Sequence, residues 1–287
     1  MSAVMELTYY PGCSLKGTSE EYDHSIRAVF EALGIGLTEL EDWTCCGASS
    51  AHMFDDSLAN MLAGRNLVLA GKAGLDMLVP CAACYSRLKF AEKAMAENPG
   101  FMDQAAEAPL VRIVHIHDLL AMPEVIERIR GKVVRPLHDL GVVPYYGCLT
   151  VRPPKVVDAA VPENPTALDE VLEALGARLA PWSFKTDCCG GSFSISRPDV
   201  VRKLSGDLME AAQRAGGECI ATDCPMCQAN LDSRQQEIEK ERGAALNLPV
   251  FFITELIALA MGIEKTGKWL SKHLVDPRPL LRDKGLA

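Results

Sequence analysis

Short apolar runs alternate with amphipathic stretches along most of the chain, the pattern of strands exchanging with helices. Leu7-Thr8-Tyr9-Tyr10 reads as a buried strand that ends at Pro11-Gly12-Cys13. Thr18 and Glu21 have capping-box spacing, Tyr22, Ile26, Val29 and Leu33 recur at helical intervals, and Gly34 closes that helix. A short strand over 35–40 leads to Trp43-Thr44-Cys45-Cys46-Gly47. A helix from about Asp55 follows, with Leu58, Met61, Leu62 and Leu69 on one face. A strand over 75–79 runs into Pro80-Cys81, Cys81-Ala82-Ala83-Cys84 opens a helix through Met95, and Asn98-Pro99-Gly100 breaks it. A strand over 113–116 and a helix over 117–122 complete the first half.

The second half repeats this order. Tyr145-Tyr146-Gly147-Cys148 echoes Tyr9-Tyr10-Pro11-Gly12-Cys13, and Glu173-Ala174-Leu175-Gly176, at the end of a helix over 166–175, echoes Glu31-Ala32-Leu33-Gly34. Ser196 then caps a helix with Pro198 in its first turn and Val201, Leu204 and Leu208 on its apolar face. A strand over 219–222 precedes Cys224-Pro225-Met226-Cys227, and 250–253 with the helix after it parallels 113–122. The pattern predicts an α/β protein of two pseudo-symmetric lobes, each a short, mostly parallel sheet flanked by helices. The expected lobes are residues 1–130 and 144–263, joined by an extended link over 131–143. The polar tail over 264–287 is expected to wrap a surface or a partner.

The cysteines give the repeat its chemistry. Cys13, Cys45 and Cys46, then Cys81 and Cys84 are separated by 31, 34 and 2 residues. Cys148, Cys188 and Cys189, then Cys224 and Cys227 are separated by 39, 34 and 2. Ten of eleven cysteines belong to the pattern, and only Cys219 stands outside it as a strand thiol expected to be buried. Each cysteine segment falls where a strand hands over to a helix. In a parallel α/β sheet those junctions lie along one edge, so three segments remote in sequence converge. Helix N-termini favour thiolates, and thiolates are the ligands of soft metals. Gly12, Gly47, Gly147, Gly190 and Gly191 would let backbone approach a bulky group and donate N–H bonds to its sulfur. Five thiols are an awkward count for one tetrahedral zinc, and disulfides would leave one thiol over in each half. Five suit an iron–sulfur cluster opened or enlarged relative to a cubane. Spacing alone ranks iron–sulfur first, zinc second and disulfides third.

Composition narrows the setting. A net charge of −9 without a basic block argues against nucleic acid. The most apolar stretch, 244–263, is interrupted by Asn247, Pro249 and Glu255 and reads as a strand and an amphipathic helix rather than a membrane span. With no signal-peptide pattern over residues 1–10, the expected compartment is the cytoplasm.

Two copies of a single Cys, then Cys-Cys-Gly, then Cys-x-x-Cys resemble the cysteine-rich "CCG" domain. Over roughly residues 6–262 the chain resembles the B-type subunit of heterodisulfide reductase. The resemblance implies one noncubane [4Fe-4S] cluster per half on its five cysteines. It implies reductive cleavage of a disulfide between the two clusters, with Cys13, Cys45, Cys46, Cys148, Cys188 and Cys189 nearest the chemistry. Archaeal members reduce the mixed disulfide of coenzyme M and coenzyme B. Electrons would come from a ferredoxin-like C-type subunit carrying [4Fe-4S] cubanes, because this chain has no four-cysteine ferredoxin run of its own. A flavin-containing A-type subunit that splits electron pairs would complete the complex. Related CCG subunits serve lactate, glycolate, glycerol 3-phosphate and succinate oxidation, passing electrons to quinone, and a zinc-stabilised scaffold is the non-enzymatic alternative.

Lys16 and Arg152 follow the two lead cysteines and are candidates to bind an anionic substrate, with a solvated surface cation as the plainer reading. Many relatives carry histidine where this chain has Leu149, which leaves the proton donor open and makes His52 a substitute candidate. His115 and His117 alternate along an expected strand, which suggests structural roles. Trp43 and Trp182 occupy matching places before the vicinal pairs and are expected to pack beside the sites.

Overall fold

The computed structural model describes residues 5–48, 51–98 and 111–286. It contains two four-stranded sheets, and every strand pairing among the described residues is parallel. The first comprises β1 (Met5–Tyr9), β2 (Ile35–Glu39), β3 (Met77–Val79) and β4 (Ile113–His115), in the order β2-β1-β3-β4. The second comprises β5 (Gly141–Tyr145), β6 (Arg178–Leu179), β7 (Cys219–Thr222) and β8 (Val250–Phe252), in the order β6-β5-β7-β8. The duplication read from the cysteines is thus a duplication of topology. Strands β3, β5, β7 and β8 are buried along their whole length, as befits parallel strands covered by helices.

In each sheet the chain leaves the central strand to one side and returns on the other. The switch point therefore falls between β1 and β3, and between β5 and β7, where loops part and leave a crevice at the strand ends. The cysteine segments follow β1, β2 and β3 in one lobe and β5, β6 and β7 in the other, three neighbouring strands each time.

Local signals mostly act as read. Asp55 caps the helix Asp56–Ala73 by accepting from the N–H groups of Ser57 and Leu58 at 2.7 and 3.2 Å. Two cap assignments need correction. Ser19, not Thr18, precedes the helix Glu20–Leu33, and no side-chain cap bond forms. The chain has already turned helically over Gly12–Leu15, and the Ser19 N–H bonds the Ser14 carbonyl at 2.9 Å. Likewise Arg197, not Ser196, is the cap of Pro198–Arg214, and its guanidinium grips Asp199 at 2.7 and 3.0 Å. Pro99 and Gly100, expected to break the preceding helix, lie outside the described residues.

One hydrophobic core spans both lobes, from Leu7 and Phe30 to Phe251 and Leu256, and a second packs around Val143, Leu208 and Ile220. Tyr22 stacks on Phe252 with ring centroids 4.0 Å apart, and its hydroxyl donates to the Asp223 carbonyl at 3.0 Å. The Ser25 and Thr254 hydroxyls meet at 2.6 Å, and Tyr85 Oη donates to the Val157 carbonyl at 3.2 Å. The connecting segment is shorter than expected, because β5 begins at Gly141. It is also tied down, with the N–H groups of Val134 and Arg135 both 2.9 Å from the Ala260 carbonyl.

The tail folds against this chain. It forms the helices Thr266–Leu270 and Arg278–Asp283 and buries Trp269, Leu270, Leu281 and Leu286. The Asp232 carboxylate accepts from the N–H groups of Leu274 and Val275 at 2.7 and 3.1 Å. His273 Nε2 contacts both oxygens of buried Glu255 at 3.0 and 3.1 Å. No helix among the described residues is long and apolar enough to cross a membrane.

Candidate metal centres

The cysteines stand at matching strand–helix junctions in the two lobes. Cys13 sits in the helical turn after β1, while Cys81 is the extended residue that starts the helix Ala82–Glu97 and places Cys84 in its first turn. Cys224 and Cys227 stand likewise at the start of Pro225–Ser233. Cys46 Sγ lies 3.3 Å from Cys84 Sγ, and Cys189 Sγ lies 3.5 Å from Cys227 Sγ. The glycine N–H after each vicinal pair turns back on the first thiol, Gly47 to Cys45 Sγ at 3.4 Å and Gly190 to Cys188 Sγ at 3.3 Å.

The loops carrying the vicinal pairs are pinned by a matched tyrosine in each lobe. Tyr10 Oη donates to the Thr44 carbonyl and Tyr145 Oη to the Asp187 carbonyl, both at 2.7 Å. Trp43 and Trp182 back these tyrosines, with ring centroids 5.6 and 6.1 Å away, in keeping with their matching places in the sequence. The second lobe adds a side-chain donor to sulfur. Asn230 Nδ2 donates to Cys189 Sγ at 3.7 Å, with its orientation fixed by Ser194 Oγ, which donates to its carbonyl at 2.8 Å.

The thiols are electrically coupled. Bonds from Cys45 and then Cys84 pull the pKa of Cys46 down against its burial, and those partners are pushed up in return. In the second lobe Cys148 lowers Cys188 and Cys227 lowers Cys189. In both sets neighbouring S–H groups favour the thiolate form, at Cys46 in one and at Cys188 and Cys189 in the other, and a soft cation would take the place of those protons.

Two glycines make the space that a metal group requires. Gly12 and Gly147 have φ +68° and +69°, and a Cβ at either would stand 2.9 Å from the Sγ of Cys84 or Cys227. All-sulfur donors, a cradle that a methyl would fill and N–H groups aimed at sulfur fit an iron–sulfur cluster. All five second-lobe cysteines line one pocket together with Tyr146, Leu149 and Met226. Ala82, from between Cys81 and Cys84 of the first lobe, lines it too. The turn that carries Cys81 and Cys84 therefore borders the second-lobe site.

Other predicted residues lie further out. Lys16 Nζ is paired with Glu39 at 2.8 Å, and Arg152 holds both oxygens of Glu163 at 3.0 and 2.9 Å. Arg152 also borders an open pocket beside Cys148 and Cys188. His52 is exposed on the short helix Ala51–Phe54. Cys219 is fully buried, and burial pushes its thiol pKa up. His115 and His117 are not on one strand. The strand ends at His115, the next helix begins at Ile116, and both rings turn inward toward Asp223. Asp223 directly precedes Cys224, and nothing in its sequence neighbourhood marks it. Tyr10, Tyr145 and Asn230 carry no motif either, although the position of Tyr145 relative to Cys148 repeats that of Tyr10 relative to Cys13.

The chain is similar to known proteins over nearly its full length. It is 29% identical over 285 residues to the 8-methylmenaquinol:fumarate reductase membrane anchor subunit of Wolinella succinogenes, covering 96% of this chain and 99% of that protein. It is 26% identical over 272 residues to the B-type subunit of the ferredoxin/F(420)H(2)-dependent CoB-CoM heterodisulfide reductase of Methanosarcina acetivorans, covering 90% and 89%. The crystal structure of a hypothetical protein from Helicobacter pylori superposes with a TM-score of 0.71 over 96% of this chain and 53% of that one. At 10% identity this likeness shows the fold alone. The cysteine-rich CCG domain model matches residues 7–89 and again 142–232, one match per lobe. The chain belongs to the CCG cysteine-rich domain family, carries that domain twice, and is a homologue of the B-type subunits of heterodisulfide reductases.

Proposed function

We propose that the chain is the catalytic subunit of a heterodisulfide reductase-like complex that cleaves a disulfide with two electrons. Cys13, Cys45, Cys46, Cys81 and Cys84 would hold one noncubane [4Fe-4S] cluster, and Cys148, Cys188, Cys189, Cys224 and Cys227 the other. The observation that carries this reading is that both five-thiol sets are complete and that Ala82, between Cys81 and Cys84, borders the second-lobe site. Such clusters supply one-electron steps and Lewis-acidic iron. The chain's own residues orient and shield. Tyr10 and Tyr145 hold the vicinal-pair loops, Gly47 and Gly190 donate to the outer thiols, and Leu149, Met226 and Ala82 line the second site with apolar surface. Cys13 and Cys188 are exposed, so a disulfide would approach the sites at their loops.

Lys16 and Arg152 already have carboxylate partners, so an anionic substrate must displace Glu39 or Glu163 to reach them. This favours a disulfide with few charges around it, or one carried on a protein, over a small polyanion. Electrons would arrive from a ferredoxin-like C-type subunit, with a flavin-containing A-type subunit behind it, in the cytoplasm.

One observation favours a second reading. The match that spans 96% of this chain and 99% of its relative is to a subunit of a quinol:fumarate reductase. In that reading the same clusters pass electrons between a quinone and a dicarboxylate or hydroxy-acid enzyme, and the apolar lining serves the quinone. The two readings part in one experiment. The anaerobically purified chain is reduced with a viologen and mixed with a panel of disulfides, including coenzyme M–coenzyme B, or with a menaquinone analogue. Reoxidation of the clusters with two thiols formed per two electrons is expected with a disulfide. Reoxidation by the quinone alone overturns the first reading in favour of the second.

A further inference from the structure

The seam between the lobes holds a second group of metal-type donors that the ten cysteines do not include. His115 Nδ1 and His117 Nδ1 lie 3.0 Å apart, His117 Nδ1 lies 2.5 Å from Asp223 Oδ2, and His115 Nδ1 lies 3.5 Å from the same oxygen. The three edges close on three atoms. Ligands about 2.0–2.2 Å from one zinc-like ion stand roughly 3–3.5 Å apart, so a small outward relaxation admits a cation at the centre. His115 and Asp223 are fully buried and His117 nearly so. Asp223 Oδ1 is buried without a hydrogen-bond partner, and so is His115 Nε2. A buried carboxylate with one free oxygen is costly, and bidentate ligation would use it.

We infer that His115, His117 and Asp223 form a site for one divalent transition-metal cation, zinc or ferrous iron, that clamps the two lobes together. Two imidazoles and a carboxylate suit those ions. His117 Nε2 faces the Asp118 carboxylate at 3.4 Å, the outer partner that orients a metal-bound histidine. A pocket lined by Tyr85, His117, Asp118, Thr150 and Val157 opens beside the cluster and supplies an entry path. Two donors come from the end of β4 and the turn after it, and the third from the end of β7 in the other lobe, so the ion would be a cross-link between repeats.

The pseudo-symmetry argues that this group was added to the duplicated frame. The places equivalent to His115, His117 and Asp223 in the opposite lobe hold Phe252, Thr254 and Pro80. There the seam is closed by the Tyr22–Phe252 stack and the Ser25–Thr254 bond. One seam contact is aromatic and hydroxylic, and its counterpart is built from metal ligands.

The same symmetry supplies the test. The double variant His115→Phe/His117→Thr installs residues that the fold accepts at the equivalent corner. Zinc, iron and acid-labile sulfide are measured in the anaerobically purified full chain and in this variant. The wild-type protein is expected to hold one metal equivalent beyond what sulfide accounts for, and the variant to lose that equivalent with sulfide unchanged. A wild-type protein whose iron equals its sulfide and which holds no zinc overturns the inference, as does a folded variant that keeps the extra ion. The difference between the two proteins is independent of what the cysteines bind, so failure of the cluster reading would not imitate it. If the variant does not fold, the cobalt-loaded wild-type protein decides. Weak ligand-field bands of a nitrogen–oxygen site support the clamp, and thiolate charge-transfer bands alone overturn it.

Discussion

Gly12 and Gly34 offer a matched pair for testing the cradle around the first cysteine set. Their φ values are +68° and +67°, so alanine at either position meets the same left-handed backbone penalty, about 1–2 kcal/mol. Their surroundings differ. A Cβ at Gly34, which ends the helix Glu20–Leu33, meets nothing within 4 Å, whereas one at Gly12 stands 2.9 Å from Cys84 Sγ. Ordinary contact begins near 3.4 Å, so the thiol must retreat by roughly 0.5 Å, against a tolerance of about 0.2 Å in metal–ligand distances. Cys84 is buried with Cys46 Sγ at 3.3 Å and cannot retreat freely. Gly34→Ala is therefore expected to lower the unfolding temperature by a few degrees with iron content intact. Gly12→Ala is expected to lower it further and to lose about half the iron, since only one of two equivalent sites is struck. Gly243 (φ +67°, open space) and Gly147 (φ +69°, Cys227 Sγ at 2.9 Å) repeat the comparison in the second lobe. Anaerobic purification, iron analysis and a thermal melt suffice. Equal iron and equal melting shifts in Gly12→Ala and Gly34→Ala would show that no metal group depends on Cys84.

Three further consequences are open to measurement. Asn230→Leu removes a side-chain N–H donor to Cys189 Sγ, so the proposed second-lobe cluster should become harder to reduce, visible as a more negative midpoint in an EPR-monitored redox titration; an unmoved midpoint would remove Asn230 from the site. Tyr22→Phe keeps the stack on Phe252 but strips the Asp223 carbonyl of its donor, and denaturant unfolding should show a loss of about 1–2 kcal/mol; no loss would mean that the seam closes without that bond. Burial alone would lower the pKa of His273, but the Glu255 carboxylate prevails and holds it at about 9, above the usual 6.5. A raised pKa stabilises the fold fully below about pH 6.5 and is lost as pH climbs toward 9, a fall of about 3 kcal/mol. The tail should loosen in that window, read as falling amide protection factors (observed against intrinsic exchange at each pH) over 266–286, and His273→Gln should abolish that fall.

The parts of this molecule visible in the sequence are those whose signals are local or repeated. The interval from Cys46 to Cys81 recurs from Cys189 to Cys224 because each measures one helix and one strand of a duplicated lobe. Alternating apolar runs placed the strands because parallel strands are buried on both faces. Cap details failed at Thr18 and Ser196, where a neighbouring turn or an arginine took over the terminus. The tail lacks periodicity, so its two short helices were not legible, and Asp232 and Glu255 hold it through partners some 20 to 40 residues away. His115, His117 and Asp223 could not be joined by reading along the chain. The histidines straddle a strand–helix corner, and the aspartate reaches them only when the lobes dock.

On the proposed reading each lobe binds an iron–sulfur cluster through its five cysteines. Iron, zinc and acid-labile sulfide counted in the anaerobically purified chain test it directly. Two four-iron clusters require about eight sulfides and about eight irons per chain, with one further iron or zinc if the seam site is filled. Zinc with neither iron nor sulfide would contradict the account and leave a thiolate-clamped scaffold in place of a redox protein.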